Sequence, residues 1–370
     1  MINKERLINT FIELVKIDSE TGDEGQIQSF LKVRFENLGL IVKEDHAQKE
    51  TGFGANNLIC TLPATDNNKD KIYFTSHMDT VTPGKNVKPM IKEDGFIYSD
   101  GTTVLGADDK AGLATIFEAL HIIKEQQLEH GQIQFVITVG EESGLVGAKA
   151  LCRTDLDSDY GFAIDSAVPV GHFTVGAPYQ MKIDATIYGK KAHASTPSKG
   201  KSAINIAAKA ISRMNLGQID DETTANIGRF EGGGPTNVVT DLVRIWAEAR
   251  SHSEDKINAQ TEHMRQTFVE VAQSLGCRAE VSSELSYPGF LVEPNARVYQ
   301  QAERAAQLIG LEGKAGVAGG GSDGNIINQL GIPTVILGVG YEAIHTTEER
   351  IAKQSLYDLV TYILKLIEIA

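Results

Sequence analysis

The chain has little cysteine. Its three residues, Cys60, Cys152 and Cys277, lie far apart and form no C-x-x-C pair. That excludes a disulfide framework and a thiolate metal site, and it fits a reducing compartment. Positive charge is also scarce: 35 basic against 49 acidic residues leave a formal net charge of −14. Such a balance argues against docking on a nucleic-acid backbone or an anionic membrane surface. No apolar run approaches the ~20 residues that a membrane-spanning helix needs. The first segment, MINKERLINTFIELVKIDS, sets Leu7, Ile8, Phe11, Ile12 and Val15 at helical spacing between charges. It reads as an amphipathic surface helix, not a signal peptide. A cytoplasmic location is expected.

What is present is a globular chain. With 370 residues, of which 41% are hydrophobic and 23% charged, two domains are expected. In the first half two patterns alternate. Helix-like periodicity covers 3–17, 24–38 and 110–124, and strand-like apolar runs cover 57–62, 71–76, 132–139 and 160–165. This alternation predicts an α/β domain with a mostly parallel sheet. The same grammar returns as a helix over 295–309, a strand over 333–339 and a helix over 347–368. Between them the order is strand 179–189, helix 201–214, strands 223–230 and 242–250, helix 254–275 and strand 277–285. That is the β-α-β-β-α-β plan of a ferredoxin-like α+β domain. It closes at SYPGF, residues 286–290, where Pro-Gly suits a hinge. The reading is therefore a discontinuous catalytic domain, 1–176 and 289–370, with a lid domain inserted over 177–288.

Ligands in open α/β sheets bind beyond the carboxyl ends of the strands. At those ends stand His77 and Asp79, then Glu141 and Glu142, then Asp165, and finally His345 in YEAIHTTEE. Helix 110–124 opens with Asp108 and Asp109. Taken singly, each has a plain explanation as a loop residue, a cap or a solvated side chain. Together they would crowd two imidazoles and five or six carboxylates on one sheet edge, where unpaired anions repel. A divalent cation is the simplest neutraliser. Nitrogen and oxygen donors without thiolate suit zinc, with manganese or cobalt as alternatives. The donor count suffices for two metals sharing a bridging carboxylate. QFVITVGEESG (134–144) adds the paired Glu141 and Glu142, one suited to bind metal and the other free to act as general base. Successive side chains diverge at a strand end, so neighbours can serve separate tasks.

The segments SHMDTV, GADDKAG, GEESG, FAIDS, KKAHAS and IHTTEE, in this order, resemble the di-zinc exopeptidase family of peptidase T, carboxypeptidase G and succinyl-diaminopimelate desuccinylase. The resemblance covers nearly the whole chain, and GADDKAG looks closest to the peptidase T branch, which removes the N-terminal residue of tripeptides. It implies a zinc-exopeptidase-like catalytic domain with two Zn2+. His77 and Asp165 would bind one metal, Glu142 and His345 the other, with Asp108 bridging. Asp108 fits the family's Asp-x-Lys register where Asp109 does not, and the peptide bond that follows it would be cis. Glu141 matches the general base, and Asp79 the carboxylate that orients the ligand imidazole. In the lid, His193 matches the histidine that approaches the scissile carbonyl oxygen, while Asn237 and Arg250 match substrate-holding positions. For Arg250 a strand-end salt bridge is nearly as good a reading. GGGSDGN (319–325) would face the pocket, its glycines letting backbone N–H groups approach a substrate end group. The implied partner is a short peptide, with a homodimer through the lid as the implied assembly. The sequence around His345 departs from the peptidase T branch. This keeps open a dipeptidase or an N-acyl-amino-acid deacylase with the same metal chemistry.

One competing motif needs weighing. GGSDG (320–324) has the form G-x-S-x-G of serine hydrolases, with Glu342 and His345 following. The segment before Ser322 is a poor buried strand, and the acid and base would be only three residues apart. That reading also leaves His77, Asp108, Glu141, Glu142 and Asp165 without a task.

Overall fold

The computed structural model describes residues 1–370. The chain divides into two compact units, Met1–Gly176 with Leu291–Ala370, and Ala177–Phe290.

In the first unit the opening helix, Lys4–Val15, is capped by Asn3, whose side chain accepts the Arg6 N–H at 3.0 Å. Its apolar face, Leu7, Phe11, Leu14 and Val15, is fully buried. Burying a Leu or Phe side chain is worth about 1.5–3 kcal/mol, which is why the amphipathic stripe dictates the docking. The same helix is tied to the helix Ala107–Gln126 through Arg6, which pairs with Glu118 at 2.6 Å. At the centre run four parallel strands in the order Ile133–Thr138, Ile72–His77, Tyr160–Ser166, Thr334–Gly338. Their buried rings Phe135, Phe74 and Phe162 form a chain with Phe35 of the helix Gly25–Asn37, in the order Phe35–Phe135–Phe74–Phe162, with centroids 5.4–6.2 Å apart.

Around this parallel centre the sheet is mixed. Leu58–Leu62 joins the Ile133–Thr138 strand antiparallel, and Ile41–Glu44 adds to it the same way. At the other side Phe173–Ala177 runs antiparallel to Thr334–Gly338. Apolar runs mark a strand as buried but carry no sign of its direction, so only the parallel centre was legible.

The final helix begins at Lys353, not 347. The residues before it, Tyr341–Glu342 and Arg350–Ala352, join Met90–Ile91 and Phe96–Tyr98 in a small four-stranded sheet. Ile351 is held opposite Ile97, both fully buried, so tertiary pairing overrides the helical spacing there.

The second unit holds a five-stranded antiparallel sheet whose order ends Thr223–Gly232, Leu242–Ser251, Tyr179–Tyr188, Arg278–Tyr287. Two helices, Ala203–Ile211 and Glu254–Ser274, start at Ser202 and Ser253, whose hydroxyls cap them. Alternate strand residues Ile183, Ile187, Val243 and Ile245 pack with Met264 and Phe268 in its core. This is the α+β arrangement that the sequence order predicts.

Candidate metal centre

The site is built where the parallel strands of the first unit end. His77 closes its strand and pairs in register with Thr138, the last residue of the neighbouring one. Two residues on, Gly140 turns the chain at φ +58°, and a side chain there would collide with Val146 and Phe53. Glycine is the residue that admits this turn, and it delivers Glu141 and Glu142 beside His77. Asp165 lies near the end of the strand on the other side of His77.

Asp108 arrives from a different direction. It sits within the first turn of the helix Ala107–Gln126 but at φ −81°, ψ 103°, outside helical geometry, and the Asp108–Asp109 peptide bond is cis. Its two oxygens face the two imidazoles. His77 Nε2 lies 3.0 Å from Asp108 Oδ1, and His345 Nε2 lies 3.4 Å from Asp108 Oδ2. Asp109 points elsewhere, accepting the Gly112 N–H at 3.2 Å as a helix cap. The remaining contacts close the ring: His345 Nε2 to Glu142 Oε1 at 2.9 Å, and His77 Nε2 to Asp165 Oδ1 at 4.0 Å.

Donor atoms of His77, Asp108 and Glu142 lie within 4.8 Å of one another, and so do those of His77, Glu141 and Asp165. These two overlapping groups, with His345 against the first, make a dinuclear metal-binding site. The chemistry of the donor set fits zinc, or another divalent ion of intermediate softness, because it combines imidazole with carboxylate and holds no thiolate.

Electrostatics point the same way. Burial pushes the Glu141 and Asp165 carboxyls well up, and neighbouring carboxylates push further in that direction. Burial opposes charge on His77, yet hydrogen bonds to Asp108 and Asp79 outweigh it and hold the imidazole well above its ordinary range. His345, hydrogen-bonded to Asp108 and then Glu142, is raised to about 10. Burial acts upward on Asp108 as well, but the two imidazoles carry it below the usual carboxylate range.

Asp79 has more partners than the sequence reading assigns it. Its backbone carbonyl accepts from His77 Nδ1 at 3.0 Å, while its carboxylate lies 3.3 Å from the same nitrogen. That carboxylate also accepts the Glu141 N–H at 3.0 Å, the Glu142 N–H at 3.3 Å and the Thr21 hydroxyl at 2.6 Å. One buried aspartate therefore sets the imidazole and the paired glutamates together.

Sequence reasoning missed Thr21, Tyr341 and Glu349. The Tyr341 hydroxyl donates to Asp165 Oδ1 at 3.0 Å. Glu349, fully buried, accepts backbone N–H groups from Gly106 and Asp108. Burial raises its carboxyl to about 7 against the pull of those donors. The signal available was the pair of adjacent glutamates that ends IHTTEE; the structure buries Glu349 and leaves Glu348 exposed.

Beside the carboxylates lies a cavity of about 290 Å³, lined in part by Ala318, Gly320, Gly321, Ser322, Ile336 and Ile344. The glycine-rich segment thus borders the site. Ser322 itself caps the helix Asp323–Gln329, its hydroxyl accepting the Gly324 N–H at 3.2 Å. Glu342 is engaged by Arg350 at 2.5–2.8 Å, and His345 turns to Glu142 and Asp108. The three members of a serine triad therefore have other partners.

The lid residues belong to the second unit. His193 is exposed in a two-stranded ribbon, Nδ1 2.7 Å from the Ser195 hydroxyl, and the Asn237 carbonyl accepts the Ala194 N–H at 2.8 Å. That ribbon brings His193 and Asn237 together. Arg250 pairs with Glu248 two residues away, Nε to Oε1 3.0 Å, the strand salt bridge weighed above.

A parallel-centred α/β sheet carrying paired metal groups at its strand ends, with a separate α+β unit inserted, defines a metal-dependent hydrolase. The similarities are specific. The chain is 60% identical to a tripeptidase from Staphylococcus aureus, with a TM-score of 0.98 over 100% of this chain and 99% of that one. It is 54% identical to the aminopeptidase PepT from Bacillus cereus, with a TM-score of 0.93 over 99% and 98%. The Bacillus subtilis protein YqjE is likewise 54% identical, over 100% of this chain and 99% of its own. Residues 73–369 match the model of peptidase family M20/M25/M40, and the chain belongs to that family.

Proposed function

We propose that this protein is an aminopeptidase that releases the N-terminal residue of short peptides, tripeptides foremost. The observation that carries the reading is the meeting of His77, Asp108, Glu142 and His345 within 2.9–3.4 Å contacts in a chain similar to a tripeptidase. In this reading His77 and Asp165 would hold one ion and Glu142 and His345 the other, with Asp108 available to both. Bound divalent ions supply Lewis-acid polarisation of the scissile carbonyl and lower the pKa of water.

The residues do the rest. Asp79 fixes the backbone of Glu141, so that its carboxylate stays free beside Glu142. Burial, and after it the neighbouring carboxylates, raise the Glu141 carboxyl well above its ordinary range, which strengthens it as a proton acceptor. Glu141 takes a proton from the attacking water, a C–O bond forms at the carbonyl carbon, and the C–N bond breaks as Glu141 returns that proton to the leaving amine. The cavity beside Ile336 and Ile344 is suited to the side chain or end group of the residue released. His193, Asn237 and Arg250 are the proposed substrate contacts of the lid, His193 supporting the developing oxyanion. A homodimer through residues 177–288 belongs to the same reading and is tested by sedimentation.

The zinc-loaded protein is assayed on di-, tri- and tetrapeptides beside N-acetyl and N-succinyl amino acids. Preferential release of the first residue of tripeptides is expected, abolished by a chelator. Turnover of the N-acyl amino acids alone overturns the assignment in favour of a deacylase, and activity that survives chelation overturns the metal chemistry.

A further inference from the structure

From its contacts, we infer that Glu349 is a positioning residue for the metal centre, locking the backbone that presents Asp108 to the segment that presents His345. Its carboxylate is shared between two donors. Oε2 accepts the Gly106 N–H at 2.8 Å, and Oε1 accepts the Asp108 N–H at 3.0 Å. These partners lie 243 and 241 residues away in the chain.

Local structure explains why such a clamp is needed. Asp108 departs from helical angles, and Gly106 before it lies at φ +74° in the left-handed region. The N–H groups at the start of a helix have no acceptor within it. Left alone, a buried N–H costs about 1–3 kcal/mol. Glu349 meets two of them with the two oxygens of one carboxyl group.

The other end of the clamp is also anchored. The Glu349 carbonyl accepts the Ser99 N–H at 3.4 Å, and its own N–H donates to the Thr346 carbonyl at 3.2 Å, next to His345. A single buried residue, by its carboxyl group on one side and its backbone on the other, thus relates two candidate ligands that come from opposite ends of the catalytic unit. Its exposed neighbour Glu348 instead donates its backbone N–H locally to the Thr346 hydroxyl. Glu349 touches neither substrate nor metal in this account. It acts through Asp108.

The inference rests on the dinuclear reading, and the test separates the two. Zinc is titrated calorimetrically into the chelator-stripped wild type, Glu349→Gln and the exposed control Glu348→Gln, with a melting curve of each stripped protein. Glutamine keeps the shape but offers one acceptor and sets an amide N–H against the other donor. Expected is two equivalents in wild type and Glu348→Gln, with binding at least tenfold weaker in Glu349→Gln, the loss typical of residues that orient ligands. Should Glu349→Gln unfold without metal, Glu349→Asp is titrated instead, which keeps the charge but is one methylene short. A variant that melts earlier yet binds both zinc ions with wild-type affinity assigns Glu349 to fold stability alone and overturns the inference. A wild type that does not take up two equivalents overturns the dinuclear reading itself.

Discussion

Asp79 and Glu141 are joined by one hydrogen bond, the Glu141 N–H donating to Asp79 Oδ1 at 3.0 Å, although 62 residues separate them in the chain. The bond fixes the turn that carries Glu141 and Glu142 against the strand end that carries His77. Placement of the base and placement of the ligands are thereby one structural event.

Replacing Asp79 with Asn tests that coupling. Asn offers one acceptor where Asp79 now meets the Glu141 N–H, the Glu142 N–H and the Thr21 hydroxyl. Zinc affinity is expected to fall by roughly 10–100-fold, measured by calorimetric titration. Unchanged affinity would show that the glutamates hold their positions without Asp79.

Glu141→Gln separates proton transfer from metal binding. The variant should retain two zinc ions per chain by metal analysis. Its kcat on a tripeptide should drop by about 10²–10⁴-fold, the usual contribution of a general base. Near-normal turnover would remove Glu141 from the mechanism, and loss of one metal would make it a ligand.

Metal binding should be steeply pH-dependent. With no cation bound, His345 carries a pKa of about 10 and His77 one well above its ordinary value. A coordinating imidazole must be neutral, so binding releases protons and apparent affinity rises as pH increases from 6 towards 10. The stripped protein follows the opposite sign. A histidine whose folded pKa is raised contributes stability in full below its unfolded value near 6.5, and that contribution fades as pH rises through about 10. Proton release in a weakly buffered zinc titration at pH 7 checks the first statement, and chemical melts of stripped protein at pH 6 and 9 the second. Zinc binding at pH 7 without proton release contradicts the assignment of both histidines.

Phe135 lies fully buried between Phe35 and Phe74 in the centre of the catalytic unit. Phe135→Ala should cost about 3–5 kcal/mol, read as a lowered urea midpoint. A shift under about 1 kcal/mol would mean that the ring chain is not the core of this sheet.

Much was legible without coordinates. Apolar periodicity located the central strands and the lid elements to within a few residues, because buried faces impose their spacing on any chain that folds this way. His77, Asp108, Glu142 and His345 were nameable since they stand in short motifs beside strand or helix ends. The direction of the outer strands, the start of the last helix and the partners of Glu349 were not. The segment 347–352 has residues that tolerate a helix, and pairing of Ile351 with Ile97 decided against one.

Taken alone, the order of residues determined which segments bury an apolar face and which side chains offer nitrogen or oxygen to a metal, since both follow from local chemistry. Only tertiary structure decided that Glu349 reaches Asp108 across 241 residues, that Asp79 holds Glu141 as well as His77, and that Ser322 caps a helix. Those facts depend on which distant backbone groups are left without partners once the sheet has formed, and no stretch of sequence carries that information.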